Sequence, residues 1–205
     1  APMQPEQEVC SDCLGNGKPP LAQCYAALPY QWPWRDLIDT FKYRAQPSWA
    51  ILLAQRIAAC PEIHHTLQTA AWVLPMPIHP ERLAERGYHQ TWLLAQHLLT
   101  LTGTAPHKLQ PDLLVRSRNV ARQSTLTSAQ RADNLHHVFS VPHAPARALV
   151  HGQHVVLVDD VMTTGATLQH AATALLAAGA TQVSAVVVAR AAIAAPKQNP
   201  SHAAA

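Results

Sequence analysis

The sequence predicts an α/β domain with a small cysteine-containing appendage at its N-terminus, and three stretches carry that expectation. Val155-Val156-Leu157-Val158 is an uninterrupted apolar run, mostly β-branched, of the kind that forms a strand buried on both faces. Behind it, Leu168, Ala172, Leu175 and Leu176 recur at helical spacing until Gly179 offers a left-handed stop. Val183 to Ala189 then reads as another strand, so strand, turn, helix and strand follow one another without a break.

The remaining elements follow in chain order. Residues 1–35 are rich in Pro, Gln and Cys, lack sustained periodicity, and are expected as an appendage to a domain over residues 36–192. Within them Cys10-Ser11-Asp12-Cys13 is a CxxC, half of a zinc-ribbon knuckle. No second CxxC follows and Cys24 stands alone, so an orphaned pair is as good a reading as bound metal. Zinc is not assigned, and a substoichiometric zinc content is the expected result of elemental analysis after a chelator wash. From Leu37 to Ala59 the spacing of Leu37, Ile38, Phe41, Ile51, Leu52 and Ile57 predicts helix on either side of Pro47. Phe41-Lys42-Tyr43-Arg44 interleaves two cations with two aromatics, as the solvated end of an amphipathic helix does, or a surface for single-stranded nucleic acid.

Val73 to Ile78 reads as a short strand running into a loop stiffened by Pro75 and Pro77. Pro80 suits a first helical turn, and Leu94, Leu98 and Leu101 extend one helix to Gly103. Arg82 and Arg86 share a face at its start, either as solvated charges or as a clamp for an anion such as pyrophosphate. Leu113 to Asn134 brings Arg116, Arg118, Arg122 and Arg131 with little apolar periodicity, which is tail-like or a functional loop. Val138 to Val141 is expected as a short strand, and residues 193–205, rich in Ala and Pro, as a flexible tail.

With 205 residues, 48% of them hydrophobic and 13% charged, the chain has enough apolar material for a sizeable core and is not of disordered composition. A net charge of +3 does not by itself argue for nucleic acid or membrane. The 13 histidines are scattered, without the spacing of a zinc protease. No cationic-then-apolar leader and no apolar run near about 18 residues is present, so a reduced, cytoplasmic protein without membrane insertion is the expectation. The chain starts at Ala1 rather than methionine, which leaves room for an upstream segment.

Function is concentrated in Asp159-Asp160-Val161-Met162-Thr163-Thr164-Gly165-Ala166-Thr167. The loop lies at the carboxyl end of a strand and the amino end of a helix, where α/β sheets bind ligands. Free backbone N–H groups and the positive end of the helix dipole favour a phosphate over Thr163 to Thr167. Gly165 lets the backbone approach closely, and the threonine hydroxyls add donors without bulk. Carboxylates are poor phosphate ligands, so Asp159 and Asp160 suit sugar hydroxyls, met directly or through a divalent cation. A phosphorylated sugar satisfies both halves of the loop.

An apolar run, two acids and Thr-Thr-Gly-x-Thr resemble the phosphoribosyl-pyrophosphate (PRPP) signature of type I phosphoribosyltransferases. Phe41-Lys42-Tyr43-Arg44, Leu74-Pro75-Met76-Pro77, Arg82-Leu83-x-x-Arg86-Gly87-Tyr88-x-Gln90, Arg116-Ser117-Arg118, Gln123, Arg131 and Asn134 narrow the resemblance to one branch, the ComF family of competence proteins. The likeness implies a type I phosphoribosyltransferase fold, a parallel sheet flanked by helices, acting as a glycosyltransferase on PRPP with Mg²⁺ and an unassigned acceptor. It implies PRPP binding by Asp159, Asp160, Thr163, Thr164, Gly165, Ala166, Thr167, Arg82 and Arg86, with Arg116 and Arg118 catalytic. It also implies a link to DNA uptake, through single-stranded DNA or the competence machinery. The chain departs from the family at Val120, where threonine is usual, at His137-Val138 in place of Gly-Ala, and in lacking the first cysteine pair of the family's zinc ribbon. The altered central loop keeps open a non-catalytic PRPP sensor, and the basic segments keep open a single-stranded-DNA-binding competence factor.

Overall fold

A computed structural model of the chain describes residues 19–116 and 138–192. Cys10, Cys13, Arg118, Arg122, Gln123, Arg131, Asn134 and the tail from residue 193 lie outside the described residues. In chain order the elements are strand β1 (Gln23–Pro29), helices α1 (Trp34–Tyr43), α2 (Trp49–Ala58) and α3 (Pro61–Thr69), and strand β2 (Trp72–Pro75). Helices α4 (Pro80–Arg86) and α5 (Gln90–Thr102) follow, then single 3-10 turns at Pro106–Lys108 and Pro111–Leu113. The short strands β3 (Val115–Arg116) and β4 (Phe139–Ser140), helix α6 (Ala144–Val150), strand β5 (His154–Met162), helix α7 (Ala166–Ala177) and strand β6 (Gln182–Arg190) complete the described chain.

β1, β6, β5 and β2 lie in that order in one sheet, and every pairing is parallel. Successive side chains of a strand point to opposite faces, and the two cores follow that alternation. Val156 and Val158 pack with Ile38, Phe41, Leu53, Ile57, Leu94 and Leu98 beneath α1, α2 and α5. Val155 and Leu157 pack with Leu168, Ala172, Leu175, Ala146 and Val150 beneath α7 and α6. Both faces are therefore covered, as an all-parallel sheet requires. Among the described residues no helix is long and apolar enough to cross a membrane.

Three expectations are corrected. Residues 23–29, expected within the appendage, form edge strand β1, with Tyr25 opposite Val186 and Leu28 opposite Ala189. An edge strand needs hydrogen-bond partners on one side only and tolerates Pro29 at its end, so its sequence pattern is weak. Second, the single helix expected from Pro80 to Gly103 is two. Gly87 sits at φ 76°, its N–H donates to the Leu83 carbonyl, and α5 restarts after His89, whose ring accepts from the Trp92 N–H. Leu101, assigned to the apolar face, is exposed, while Leu94 and Leu98 are buried. Third, Asp159 and Asp160 do not follow the strand but belong to it, and Asp159 pairs with Val187 of β6.

Because no side chain lies within 4 Å of a Cβ added at Gly87, Gly87→Ala meets only backbone strain. It is expected to lower unfolding free energy by about 1 kcal/mol in urea titrations. A loss under a few tenths would show that the α4–α5 corner adapts freely.

Candidate functional site

Thr163 to Thr167 turn the chain from β5 into α7 at the carboxyl edge of the sheet. Gly165 adopts φ 80° at the N-cap, the Thr164 hydroxyl accepts from the Ala166 N–H at 3.4 Å, and the hydroxyl-bearing residues of the turn are exposed. The N–H groups of the first turn of α7 have no partner one turn back, so the turn presents donors to solvent.

Facing that edge is a cavity of about 720 Å³. Asp159, Asp160 and Thr167 line one side of it, and Arg82, Arg86 and Arg116 line it from α4 and β3. The structure thus brings together six of the residues singled out in the sequence. Thr163, Thr164, Gly165 and Ala166 lie beside the cavity on the same turn without lining it. Among the described residues no group of three or more His, Cys, Asp or Glu side chains is placed to hold a metal ion.

α4 is positioned by its ends. His79 Nδ1 accepts from the Glu81 N–H at 3.3 Å, Pro80 occupies the first turn, and Gly87 closes the helix. No residue of α4 is buried, so it overhangs the cavity and offers Arg82 and Arg86 to it. The Arg86 guanidinium lies over the Tyr43 ring, 5.1 Å from its centroid. Arg116 lies over Phe139, 5.7 Å from the ring centre, where burial and the charge of Arg82 lower its pKa. An anion between Arg82 and Arg116 would relieve that repulsion.

The sequence reading missed Lys42. Its ammonium is not a solvated charge at a helix end, since its side chain is 15% exposed and pairs with Asp160 Oδ1 at 2.8 Å. Gln90, at the start of α5, donates its amide N–H to Asp160 Oδ2 at 3.5 Å. The end of α1 and the Arg86–Gln90 corner prove to be one unit. The Tyr88 hydroxyl donates to the Phe41 carbonyl, the Phe41 and Tyr88 rings lie 5.7 Å apart, and Arg86 stacks on Tyr43. No local signal marked it: a lysine in the last turn of an amphipathic helix reads as a solvated charge until the fold brings Asp160 to it.

Asp159 and Asp160 are electrostatically unlike. Asp160 is 5% exposed and ion-paired. Asp159 has no ion-pair partner among the described residues. Burial first, and the Asp160 charge second, push its carboxyl up to about 8, against the opposing effects of the Asp160 N–H and Lys42. Unfolded, the same group titrates near 3.8. The native state therefore holds a proton that the unfolded state has lost, and this group's contribution to stability falls as pH rises between those values. Wild type minus Asp159→Asn, followed as melting temperature, is expected to fall by about 5 °C or more from pH 5 to pH 8. A flat difference would show that Asp159 ionises normally in the ligand-free protein.

A family model for the phosphoribosyl transferase domain matches residues 110–201. The chain is 30% identical over 179 residues to the DNA utilization protein YhgH of Escherichia coli (strain K12), covering 85% of this chain and 74% of that protein. It is 29% identical over 189 residues to Competence protein F of Haemophilus influenzae, covering 89% and 78%. Among solved structures, glutamine PRPP amidotransferase from B. subtilis, complexed with ADP and GMP, aligns with a TM-score of 0.45 and 20% identity. That alignment covers 74% of this chain and only 30% of the length of that enzyme.

Proposed function

We propose that this chain, which belongs to the ComF family of the phosphoribosyltransferase superfamily, binds Mg²⁺–PRPP in the cavity at the carboxyl edge of its sheet and transfers the phosphoribosyl group with release of pyrophosphate. The observation that supports this is the set of side chains the cavity collects: Asp159, Asp160 and Thr167 at the edge of the sheet, and Arg82, Arg86 and Arg116 from α4 and β3, with Glu81 and Glu85 of α4 also at its wall. A ribose diol suits the first, and a diphosphate suits the second. In this reading the turn from Thr163 to Thr167 receives the 5′-phosphate at the amino end of α7. Arg82 and Arg86 receive the pyrophosphate, and Arg116 meets the charge that grows on it as the glycosidic bond breaks. Such a displacement passes through an oxocarbenium-like state and asks the protein for positioning and charge stabilisation, not a covalent nucleophile. Mg²⁺ enters as part of the substrate complex and screens the diphosphate.

The names of the relatives, DNA utilization protein and Competence protein F, support a role for this transfer in the handling of DNA taken up by the cell. The test is PRPP-dependent pyrophosphate release screened over purine and pyrimidine bases, beside a binding isotherm for Mg²⁺–PRPP. Release with any acceptor supports the transferase. Tight binding without release converts the reading to a PRPP sensor, and absence of binding removes PRPP altogether.

A further inference from the structure

The acid pair is bonded asymmetrically. Both oxygens of Asp160 face protein donors, Lys42 Nζ at 2.8 Å and Gln90 Nε2 at 3.5 Å. The carboxylate of Asp159 accepts one hydrogen bond among the described residues, from the Asp160 N–H at 2.8 Å. Strand alternation explains the difference. Asp160 shares the register of Val156 and Val158 on the face covered by α1 and α5, which deliver Lys42 and Gln90. Asp159 shares the register of Val155 and Leu157 and, like Asp160, Lys42 and Gln90, borders the cavity, but it has no ion-pair partner among the described residues.

The Lys42–Asp160 pair is built rather than incidental. Lysine is seldom so enclosed unless it is paired, and here the side chains are 15% and 7% exposed. The end of α1 that carries Lys42 is pinned by the buried Phe41 ring and by the bond from Tyr88 to the Phe41 carbonyl. Gln90 adds a second sign. Its Oε1 is buried without a partner among the described residues, a cost that native structures rarely accept. Turning the amide over would set that oxygen against the Asp160 carboxylate, so Asp160 dictates which way Gln90 faces.

We propose that Lys42 is a positioning residue that divides the acid pair: with the Gln90 amide it holds Asp160 as a protein-bound anchor, and it leaves Asp159 as the carboxylate that meets the ligand's hydroxyls. The ligand half of this statement rests on the PRPP reading. The anchoring half does not.

The full chain is compared with Lys42→Met, Lys42→Arg, Asp160→Asn and the Lys42→Met/Asp160→Asn double variant, in thermal unfolding without ligand and in Mg²⁺–PRPP isotherms. Lys42→Met strands a buried carboxylate and is expected to lower the melting temperature by roughly 10 °C. It is also expected to weaken PRPP binding at least about tenfold, by freeing Asp160 to shift beneath Asp159. In the double variant no charge is left stranded, so melting temperature rises above that of Lys42→Met and the two affinity losses fail to add. Lys42→Arg is expected to keep affinity within about threefold, since a guanidinium also satisfies the carboxylate. Should Lys42→Met not fold, the double variant and Lys42→Arg still decide the matter. Additive affinity losses would mean that Lys42 meets the ligand itself and would overturn the proposal, as would Lys42→Met with wild-type affinity. Absence of coupling in ligand-free unfolding overturns it whatever the ligand. A wild type that binds no PRPP, with the unfolding coupling intact, overturns the PRPP reading and confirms the anchor.

Discussion

Asp159→Asn is expected to weaken Mg²⁺–PRPP binding by about 100-fold, while the protein folds and melts at or above the wild-type temperature at pH 8. A hydrogen bond from a sugar hydroxyl to a carboxylate is worth about 1.5–3 kcal/mol, and each 1.4 kcal/mol is about tenfold in affinity. The variant keeps shape and one acceptor oxygen but loses the charge. It also loses the proton-dependent penalty that burial and Asp160 impose on the carboxyl, which is why stability rises and affinity falls. The single variant is more informative than replacing both acids, because Asp160→Asn leaves Lys42 without its partner and mixes folding with binding. Calorimetric titration beside a thermal melt measures both quantities. Unchanged affinity would remove Asp159 from the ribose site.

The second large effect is expected at Arg116. Arg116→Ala should lower kcat for pyrophosphate release by about 100- to 1000-fold, with PRPP affinity changed only about threefold. The guanidinium is held over the Phe139 ring by the antiparallel pairing of Arg116 with Phe139, so its place does not depend on a ligand. Its charge, lowered in pKa by burial and by Arg82, is underused without an anion beside it. A group of this kind gains most when negative charge grows on the departing pyrophosphate, and gains less from the ground state, whose charge Mg²⁺ already screens. Separate kcat and KM values with the best acceptor make the distinction. Equal losses in affinity and turnover would make Arg116 a ground-state ligand. Phe139→Leu, which removes the stacking partner and keeps the bulk, should show a smaller loss of the same kind.

Local pattern alone was enough for the β5–turn–α7 unit. Val155 to Val158 is apolar because both faces of a central strand are covered, and Leu168, Ala172 and Leu175 repeat because one stripe of α7 is. Such periodicities are written in consecutive residues, so the strand, the threonine turn and the two acids are legible in the chain itself. Arg82, Arg86 and Arg116 were legible as anion-binding types, though nothing in the chain stated that they share one cavity.

What the tertiary structure decided depends on partners far away in sequence. β1 is a strand because β6 lies beside it, and its own residues carry too little alternation to show it. The break at Gly87 between α4 and α5 depends on a single left-handed residue inside a helical pattern that otherwise continues. Lys42 reads as a surface charge until α1 is laid against β5 and brings it to Asp160, more than a hundred positions onward. Adjacent in the chain and identical in chemistry, Asp159 and Asp160 cannot be told apart from sequence. The alternation of a strand sends them to opposite faces: both border the cavity, but Asp160 lies under α1 and α5 with a cation and an amide, and Asp159 has neither among the described residues. Residue type is a property of the sequence, but the dielectric and the charges around a carboxylate are properties of the fold, and only they distinguish the two acids.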